Sequence, residues 1–342
     1  MIHEATEKIV GEADLTRAEA EAVMEQILSG RATNAQIAGF LTALRIKGET
    51  VDELVGFATV MRRHASPVFS KLRLPPNAAL VDTAGTGGDA RGTFNISTAA
   101  AFVIAGAGAL VAKHGNRAFT SRCGSADVLE ELGVRMDLPM ERVARAIEEI
   151  GIGFLYAPAA HTAMRHAMTA RRELKVRTVF NLLGPLTNPA GAQSQVLGVF
   201  SEDVIDLVAA ALAELGVERA FVVHGAGGLD EISLAGETLV TEVHGGGVRR
   251  FTVAPEEFGV ERAPLEAIRG GTATQNAALI RRILEGEAGP TRDIVVINAA
   301  AALVAAGMAE NFREAAGLAS FVISSGAAAE KLASLVEFTS QS

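Results

Sequence analysis

The sequence predicts an α/β protein with a small N-terminal helical domain and a larger domain built on a central, largely parallel sheet. Residues 1 to about 66 carry helical signals only, whereas strand-like and helix-like segments alternate from residue 195 onward. Such alternation is typical of a parallel sheet covered by helices. A glycine-rich turn also follows the first strand-like run, residues 79–81, at the place where open α/β sheets bind ligands.

Composition favours a globular protein that binds small molecules. The 342 residues, 49% of them hydrophobic, suffice for one large domain or two smaller ones. A formal net charge of −9 argues against nonspecific binding to nucleic acid. A single cysteine, Cys123, and an N-terminus unlike a secretory signal favour a cytoplasmic location. The uncharged run 92–112 contains Asn, Ser, Thr and Gly, so we expect it inside the protein and not in a membrane.

The first 66 residues predict helices with well-marked ends. Three threonines stand three residues ahead of a Glu or Gln, which is the capping-box pattern that starts a helix. The pairs are Thr16 with Glu19, Thr33 with Gln36, and Thr50 with Glu53. Gly30 and Gly48 are expected to close the first two of these helices. A connector with three prolines, at positions 67, 75 and 76, then separates this unit from the rest.

Apolar periodicity predicts the later elements. Helices are expected at 125–132, 139–150, 161–172 and 177–183, with a short strand at 154–157 and a sharp break at 184–189. Strands are expected at 196–200, 220–224, 238–244 and 248–252, with a helix at 203–215. The end of the chain predicts helices at about 274–286, 292–306, 310–323 and 326–338.

The glycine-rich turn, residues 85–89, is the first candidate for a binding site. Its sequence is Gly-Thr-Gly-Gly-Asp, and glycine lets a ligand approach the backbone closely. Asn-Ile-Ser-Thr, residues 95–98, follows where a helix begins, and we expect Ser97 or Thr98 to cap that helix. Backbone N–H groups at a helix start bind anions, so this stretch suits a phosphorylated ligand.

Other loop types fit this turn less well. Gly85, Gly87 and Ala90 match a dinucleotide fingerprint, but that fingerprint needs an acidic residue about 20 positions later. Residues 100–112 hold none. The Gly-Lys-Ser/Thr ending of a P-loop is also missing. A plain strand-to-helix turn is the remaining alternative.

A second strand-like run, residues 109–112, leads into Lys-His-Gly-Asn-Arg, residues 113–117. Between residues 90 and 125 there are four basic residues and no acidic one. Fixed cations would stabilise the charge that develops on a departing diphosphate, which makes Lys113 and Arg117 catalytic candidates. The alternative is a solvated basic turn. Because acidic residues are missing nearby in sequence, we expect simple surface pairing to be less important.

Asp230 and Glu231 follow a strand and a glycine-rich turn. Adjacent carboxylates suit Mg²⁺, which prefers oxygen ligands and bridges phosphates. As sequence alone, an Asp-Glu pair is more often a solvated surface pair. Its position after a predicted strand favours the ligand-binding edge of the sheet.

Gly-Thr-Gly-Gly-Asp, Asn-Ile-Ser-Thr and Lys-His-Gly-Asn-Arg, in this order and separation, resemble the anthranilate phosphoribosyltransferases, and so does the segment 170–189. The resemblance covers nearly the whole chain and implies a fold of the nucleoside phosphorylase/phosphoribosyltransferase type. It implies transfer of the phosphoribosyl group of phosphoribosyl diphosphate (PRPP) to the amine of anthranilate, in tryptophan biosynthesis. It also implies Mg²⁺, about two ions per site, and a homodimer formed through the helical unit. The small domain would comprise 1–69 with about 163–190, and the large domain 70–162 and 191–342.

Site residues are carried over from the family position by position. PRPP binding falls on Gly85, Gly88, Asp89, Thr93, Asn95, Ile96, Ser97, Thr98, Lys113, His114, Gly115, Asn116, Arg117, Ser121 and Ser125. The metal ligands are Ser97, Asp230 and Glu231. Asn116 also corresponds to the family residue near the acceptor amine, and His161 to the histidine of the acceptor pocket. Arg171 corresponds to the arginine that holds the anthranilate carboxylate, with Arg172 and Arg177 as neighbouring alternatives.

Two other functions fit the sequence less well. A pyrimidine nucleoside phosphorylase shares this fold but would use inorganic phosphate and a nucleoside without the acidic metal pair. A catalytically silent relative that binds nucleic acid is disfavoured by the negative net charge and the intact glycine-rich turn.

Overall fold

The computed structural model describes residues 1–75, 78–87, 91–118 and 122–341. These ranges fold into helices around one seven-stranded sheet. The strands are β1 Leu80–Gly85, β2 Leu110–Gly115, β3 Ile152–Tyr156, β4 Ser194–Gly198, β5 Arg219–Gly225, β6 Thr238–His244 and β7 Gly247–Val253. The helices are α1 Ile2–Val10, α2 Arg17–Leu28, α3 Asn34–Lys47, α4 Val51–Arg63, α5 Ile96–Gly106, α6 Ser125–Glu131, α7 Met140–Ile150, α8 Ala157–Ala160, α9 Arg165–Leu174, α10 Val179–Leu186, α11 Ile205–Glu214, α12 Ala273–Leu284, α13 Pro290–Ala305, α14 Phe312–Ser324 and α15 Ala327–Ser340.

The sheet has the strand order β3-β2-β1-β4-β5-β6-β7. The first five strands of this order, from β3 through β2, β1 and β4 to β5, pair in parallel. Strand β6 pairs antiparallel with β5, and β7 pairs antiparallel with β6. The order of the strands reverses between β1 and β4, and the loops leaving such a switch point open a crevice for ligands. Gly85 pairs with Gly198 at the carboxyl ends of these two strands.

Helices cover both faces of the sheet. Val196 and Phe221 face a core that is shared with helices α5 and α12 to α15. Leu197 and Val222, the next residues along their strands, face a second core with α11 and the N-terminal helices. Alternating strand residues point to opposite faces, so a strand buried on both sides must be apolar throughout. The predicted fold class is confirmed.

The N-terminal helices begin where the capping boxes predict. The hydroxyls of Thr16, Thr33 and Thr50 each accept a hydrogen bond from the N–H three residues later, and the Glu or Gln there reciprocates. Gly48 follows α3 with a φ of 89°, a conformation that glycine adopts without strain. Local sequence therefore determines the ends of these helices.

Helices α9 and α10 pack on the N-terminal helices. Ala167 and Leu183 lie in one buried cluster with Phe40 and Phe57. This packing supports the inclusion of 163–190 in the small domain, although the proposed boundaries stay a prediction. The same cluster extends to Val208 on α11, so one core spans the predicted division.

Helix α10 continues further than predicted. We expected a sharp break at 184–189, but α10 runs through Pro185 and ends at Leu186. Pro185 lies in the last turn, where its missing N–H costs only one backbone hydrogen bond. The hydroxyl of Thr187 donates to the carbonyl of Leu183 at 2.8 Å and so binds one of the last carbonyls of the helix.

Among the described residues, no helix has both the length and the apolar character needed to cross a bilayer. The uncharged run 92–112 contains α5 and the first part of β2.

Candidate active site

Asp230 and Glu231, here called the acidic turn, lie directly on the carboxyl ends of three neighbouring strands. Each of these strands ends in a glycine that leaves room for the turn. A Cβ on Gly198 would lie 1.6 Å from the backbone oxygen of Asp230, and one on Gly225 would lie 2.3 Å from that of Glu231. A Cβ on Gly85 would lie 2.8 Å from Oδ2 of Asp230. We call these three residues the glycine platform, because their lack of side chains lets the acidic turn sit on the sheet edge.

Both carboxylates of the acidic turn bind backbone N–H groups of the predicted phosphate loops. Oδ2 of Asp230 accepts a hydrogen bond from the N–H of Gly87 at 2.9 Å. Oε1 of Glu231 accepts one from the N–H of Ser97 at 3.2 Å. The acidic turn, which is 143 residues from Gly87 and 134 from Ser97 in sequence, therefore meets both loops at the switch point of the sheet.

The predicted cap of α5 was wrong. The helix begins at Ile96 with Asn95 ahead of it, so Ser97 and Thr98 lie within the helix. Glu231 binds the Ser97 N–H instead and satisfies a donor that has no partner inside the helix. A cap from another loop cannot be read from the local sequence.

Lys113 lies on β2 and is 4% exposed. Its Nζ donates to the backbone oxygen of Thr83 on β1 and lies 3.3 Å from Oγ of Ser97. Burial lowers its pKa, while the negative charges of Asp82 and Glu231 act in the opposite direction. The structure therefore fixes this amine beside Ser97.

Arg117 differs from our expectation. We expected surface pairing to be less important there, but its guanidinium binds Glu130 through two contacts of 2.6 Å and Asp127 at 3.2 Å. Both acids lie on α6, which begins just beyond the acid-free stretch between residues 90 and 125. Its side chain is 47% exposed, and a surface pair of this kind contributes little stability. Arg117 can bind a diphosphate only if it leaves this pair.

Gly115, Asn116 and Ser125 lie together after β2. Oγ of Ser125 lies 3.2 Å from both the N–H and the carbonyl of Asn116, so it can accept from one and donate to the other. Asn116 is exposed, and its Oδ1 accepts from the N–H of Arg117 at 2.8 Å. The predicted role of Asn116 beside the acceptor amine stays a prediction.

The remaining residues predicted to bind PRPP lie in several different surroundings. Ile96 and Thr98 are each 1% exposed, so their side chains belong to the core. Asn95 donates to the carbonyl of Cys123 at 3.3 Å and thereby links the two loops. Thr93 forms an isolated bridge with Arg269. Three predicted residues lie outside the described part of the chain: Gly88, Asp89 and Ser121.

His114 and His161 form a buried pair. Their ring centroids are 5.2 Å apart in an edge-to-face arrangement. Nδ1 of His114 lies 3.2 Å from the carbonyl of Gly184, which can only accept, so Nδ1 carries the proton. Within the described residues, neither Nε2 atom has a hydrogen-bond partner. Burial lowers the pKa of His114 to about 3 and that of His161 to about 4, so both rings are neutral at pH 7. A buried polar atom without a hydrogen-bond partner requires an explanation, and a bound ligand would provide one.

Arg171 differs from the neighbouring arginines in its surroundings. Burial lowers its pKa to about 10, so it is still protonated at pH 7. Its guanidinium lies 4.9 Å from the ring centroid of Phe180, and no carboxylate of the described residues pairs with it. Arg172 is exposed, and Arg177 lies over the ring of Phe200. His166 packs against Gly30 of the helical domain, which is a structural role.

Asp82 is a buried group that the sequence did not point out. It is 1% exposed on β1 and accepts from the N–H of His114 at 3.1 Å and from the amide of Asn188 at 2.7 Å. Burial raises its pKa to about 6. The available signal was an acidic residue inside an apolar strand run. Asp82 thus links β1 to the end of β2 and to the segment that follows α10.

The geometry defines a transferase made of two parts. An α/β domain presents N–H groups, a lysine and two carboxylates at its switch point. An arginine without a carboxylate partner among the described residues lies on α9, which packs on the helical domain. Residues 3–65 match the family model "Glycosyl transferase family, helical bundle domain", and residues 77–329 match "Glycosyl transferase family, a/b domain".

Individual relatives narrow this class. The chain is 58% identical to the anthranilate phosphoribosyltransferase of Pelotomaculum thermopropionicum over 99% of its own length and 97% of that protein. The crystal structure of the Thermus thermophilus anthranilate phosphoribosyltransferase is 48% identical and superposes with a TM-score of 0.92, covering 98% of this chain and 99% of that one. The Saccharomyces cerevisiae enzyme in complex with PRPP and Mg is 28% identical with a TM-score of 0.87, covering 100% of this chain and 98% of that one. The chain belongs to the anthranilate phosphoribosyltransferase family, and it transfers the phosphoribosyl group of PRPP to anthranilate in tryptophan biosynthesis.

Proposed function

We propose that the acidic turn, Ser97 and Lys113 hold the diphosphate of PRPP, while Arg171 and the histidine pair hold anthranilate. His114, which the sequence assigned to PRPP, is placed on the acceptor side in this proposal because its ring packs against that of His161. The observation that carries this proposal is the meeting of the acidic turn with Gly87 and Ser97 at the switch point. Each of these contacts joins segments more than 100 residues apart. A purely local role for the loops would not require them.

The donors at the acidic turn fit magnesium. Asp230, Glu231 and Ser97 offer only hard oxygen atoms, which Mg²⁺ prefers. Among the described residues, no group of three or more His, Cys, Asp or Glu side chains could hold a metal unaided. In the proposed site Mg²⁺ would take its other ligands from substrate phosphates and water. When bound, Mg²⁺ supplies charge neutralisation for the diphosphate, and we propose about two ions per site.

Lys113 would stabilise the leaving diphosphate. Its amine is held by β1 and Ser97 before any ligand arrives, so little reorganisation is needed during the reaction. Arg117 would add a second cation after exchanging Glu130 for the ligand. We propose displacement at ribose C1 through an oxocarbenium-like state, without an enzyme nucleophile.

The acceptor side would act by positioning. Arg171 offers a planar guanidinium to the anthranilate carboxylate, a natural partner for it. Nε2 of His114 carries a lone pair, because Nδ1 holds the proton, and Nε2 of His161 also lacks a partner in the described part of the chain, so both atoms would bind polar groups of the acceptor. No strong general base is assigned, because the aromatic amine loses its proton readily once it is alkylated. Alignment of the two substrates can supply much of the rate enhancement.

The test of the metal assignment is the loss of anthranilate fluorescence after addition of PRPP and Mg²⁺. Wild-type protein should consume anthranilate in a Mg²⁺-dependent manner. The double variant Asp230→Asn with Glu231→Gln should lose activity together with its response to Mg²⁺. Glu237→Gln removes a nearby exposed acid and should behave as wild type. Full turnover by the double variant would refute the metal assignment.

Three broader assignments are also proposals. A homodimer through the helical domain is supported by large apolar side chains exposed there, Met1, Val10 and Ile46. A cytoplasmic location is supported by the single cysteine, since disulfides are rare in reducing compartments. Division of the chain into 1–69 with about 163–190, and 70–162 with 191–342, is supported by the packing of α9 and α10 on α2, α3 and α4.

A further inference from the structure

Asn298, on α13, holds the acidic turn from the side opposite the solvent. It is 3% exposed. Its Oδ1 accepts from the N–H of Ile232 at 2.9 Å, and its Nδ2 donates to the carbonyl of the same residue at 3.0 Å. Nδ2 also donates to the carbonyl of Ile294 at 2.9 Å. Ile232 directly follows Glu231, so this side chain binds both backbone groups of the residue next to the acidic pair.

These contacts fix the orientation of the Asn298 amide. A backbone N–H can only donate and a carbonyl can only accept, so the oxygen must face the N–H of Ile232 and the nitrogen must face the two carbonyls. An aspartate has nearly the same shape, but it would place an oxygen against both carbonyls. The position therefore requires an amide and not simply a polar side chain of this size.

The apolar residues around Asn298 indicate that its amide is there to bind the acidic turn. Within α13, every residue from Ile294 to Ala305 is buried, and Asn298 is the polar member of that run. An apolar residue there would avoid the cost of burying an amide. The acidic turn itself belongs to no helix or strand, so its position depends on such outside contacts.

We propose that Asn298 is a positioning residue of the acidic turn. It fixes the backbone at Ile232, while the glycine platform supports the backbone of Asp230 and Glu231 from the sheet edge. The two carboxylates thereby face the N–H groups of Gly87 and Ser97 before substrate binds. The inference rests on the proposed metal role of the acidic turn.

The experiment compares Asn298→Asp and Asn298→Leu with wild type. Calorimetric titration with PRPP in MgCl₂ should show affinity weakened about ten- to hundredfold, the range seen when groups that support metal ligands are removed. The Mg²⁺ concentration for half-maximal activity should rise in parallel. The KM for anthranilate should stay within about twofold, because the acceptor groups are on other elements.

Gln195→Met is the matched control. Gln195 is also a buried amide, 2% exposed, but it binds the carbonyl of Ala192 at the start of β4. Its replacement should lower the melting temperature without changing the PRPP affinity or the Mg²⁺ response. A merely structural role for Asn298 would give this same pattern.

The outcomes separate the two proposals. Wild-type PRPP affinity and Mg²⁺ response in Asn298→Asp, or in Asn298→Leu if the first variant does not fold, would overturn the positioning role. If the acidic double variant is inactive at the same time, the metal assignment stands and only this inference fails. If that double variant keeps Mg²⁺-dependent turnover, the metal assignment itself has failed.

Discussion

Arg171 illustrates how a single residue reveals a binding partner. A guanidinium that is partly buried and lacks a carboxylate partner among the described residues keeps its charge, since its pKa of about 10 is still well above neutral. Burial of a charge is costly unless a partner arrives. A substrate carboxylate is that partner in our proposal.

Arg171→Ala should raise the KM for anthranilate strongly while leaving that for PRPP nearly unchanged. The expected cost is about 2–4 kcal/mol, because the substrate carboxylate would be left unpaired. Steady-state kinetics with each substrate varied in turn would measure this. Arg172→Ala, at the exposed neighbouring position, should have wild-type constants. An unchanged anthranilate KM in the Arg171 variant would remove this residue from the acceptor site.

The histidine pair predicts a pH dependence of stability. Burial lowers the pKa of His161 from 6.5 to about 4, so the unfolded chain binds more protons than the folded one between these values. The stability that comes from the neutral ring is therefore present above pH 6.5 and is lost as the pH falls toward 4. At pH 5 the loss should be about 2 kcal/mol.

Urea unfolding of wild type and His161→Gln at pH 7 and pH 5 would test this. Wild type should lose more free energy of unfolding than the variant between the two pH values. Asp82, whose pKa is raised to about 6, and His114, whose pKa is lowered to about 3, also respond to this change of pH, but both are present in the two proteins. Equal losses in the two proteins would show that His161 does not titrate as described.

At the scale of single residues, the sequence predicted which residues belong to the site better than it predicted their contacts. Lys113 was predicted beside the phosphate loops and does lie against Ser97. The partners of Arg117 were missed because they lie on α6, beyond the loop in which charges were compared. Asp82 and Asn298 act through tertiary contacts, which local patterns do not encode.

The glycine platform operates at the scale of whole strands. Gly198→Ala would place a methyl group 1.6 Å from the backbone oxygen of Asp230, so the acidic turn must move. Displacement of catalytic groups by about 1 Å can cost roughly a hundredfold in rate. We expect kcat/KM for PRPP to fall by about that factor.

Gly317→Ala is the matched control, since a Cβ at that position on α14 meets no atom within 4 Å. It should keep full activity and gain about 0.5–1 kcal/mol of stability from better helix propensity. Activity assays and thermal melts of both variants would make the comparison. A fully active Gly198→Ala protein would show that the turn tolerates this shift.

Most elements were predicted within a few residues because they carry strong local signals. The capping boxes of α2, α3 and α4 are examples, since threonine and its Glu or Gln partner are close in sequence. The end of α10 was misjudged, because a proline in a last turn costs less than one inside a helix.

For the whole molecule, the sequence predicted two parts, but not how closely they are joined. The parallel sheet follows from the alternation of strands and helices. The core that runs from Phe57 on α4 to Val208 on α11 depends on packing between distant segments, which periodicity cannot reveal.

The proposed dimer gives a prediction at this scale. Ile46 on α3 is 82% exposed, and in the proposed dimer it would lie in the contact between the two helical domains. Sedimentation should give twice the chain mass of 35.5 kDa for wild type. Ile46→Glu should shift the protein toward the monomer. Phe321→Glu, which alters a 66% exposed residue on α14, should remain dimeric, and a monomeric wild type would contradict the proposal.

The core shared by α4, α10 and α11 also affects how the chain folds while it is being synthesised on the ribosome. Helices α1 to α4 leave the ribosome first, but their apolar faces are completed only when α10 emerges, roughly 120 residues later. At about 5–20 residues per second this takes roughly 6–24 s, during which the part of α4 that packs on α10 has no partner. We therefore expect this face of the nascent helices to be exposed to chaperones during synthesis.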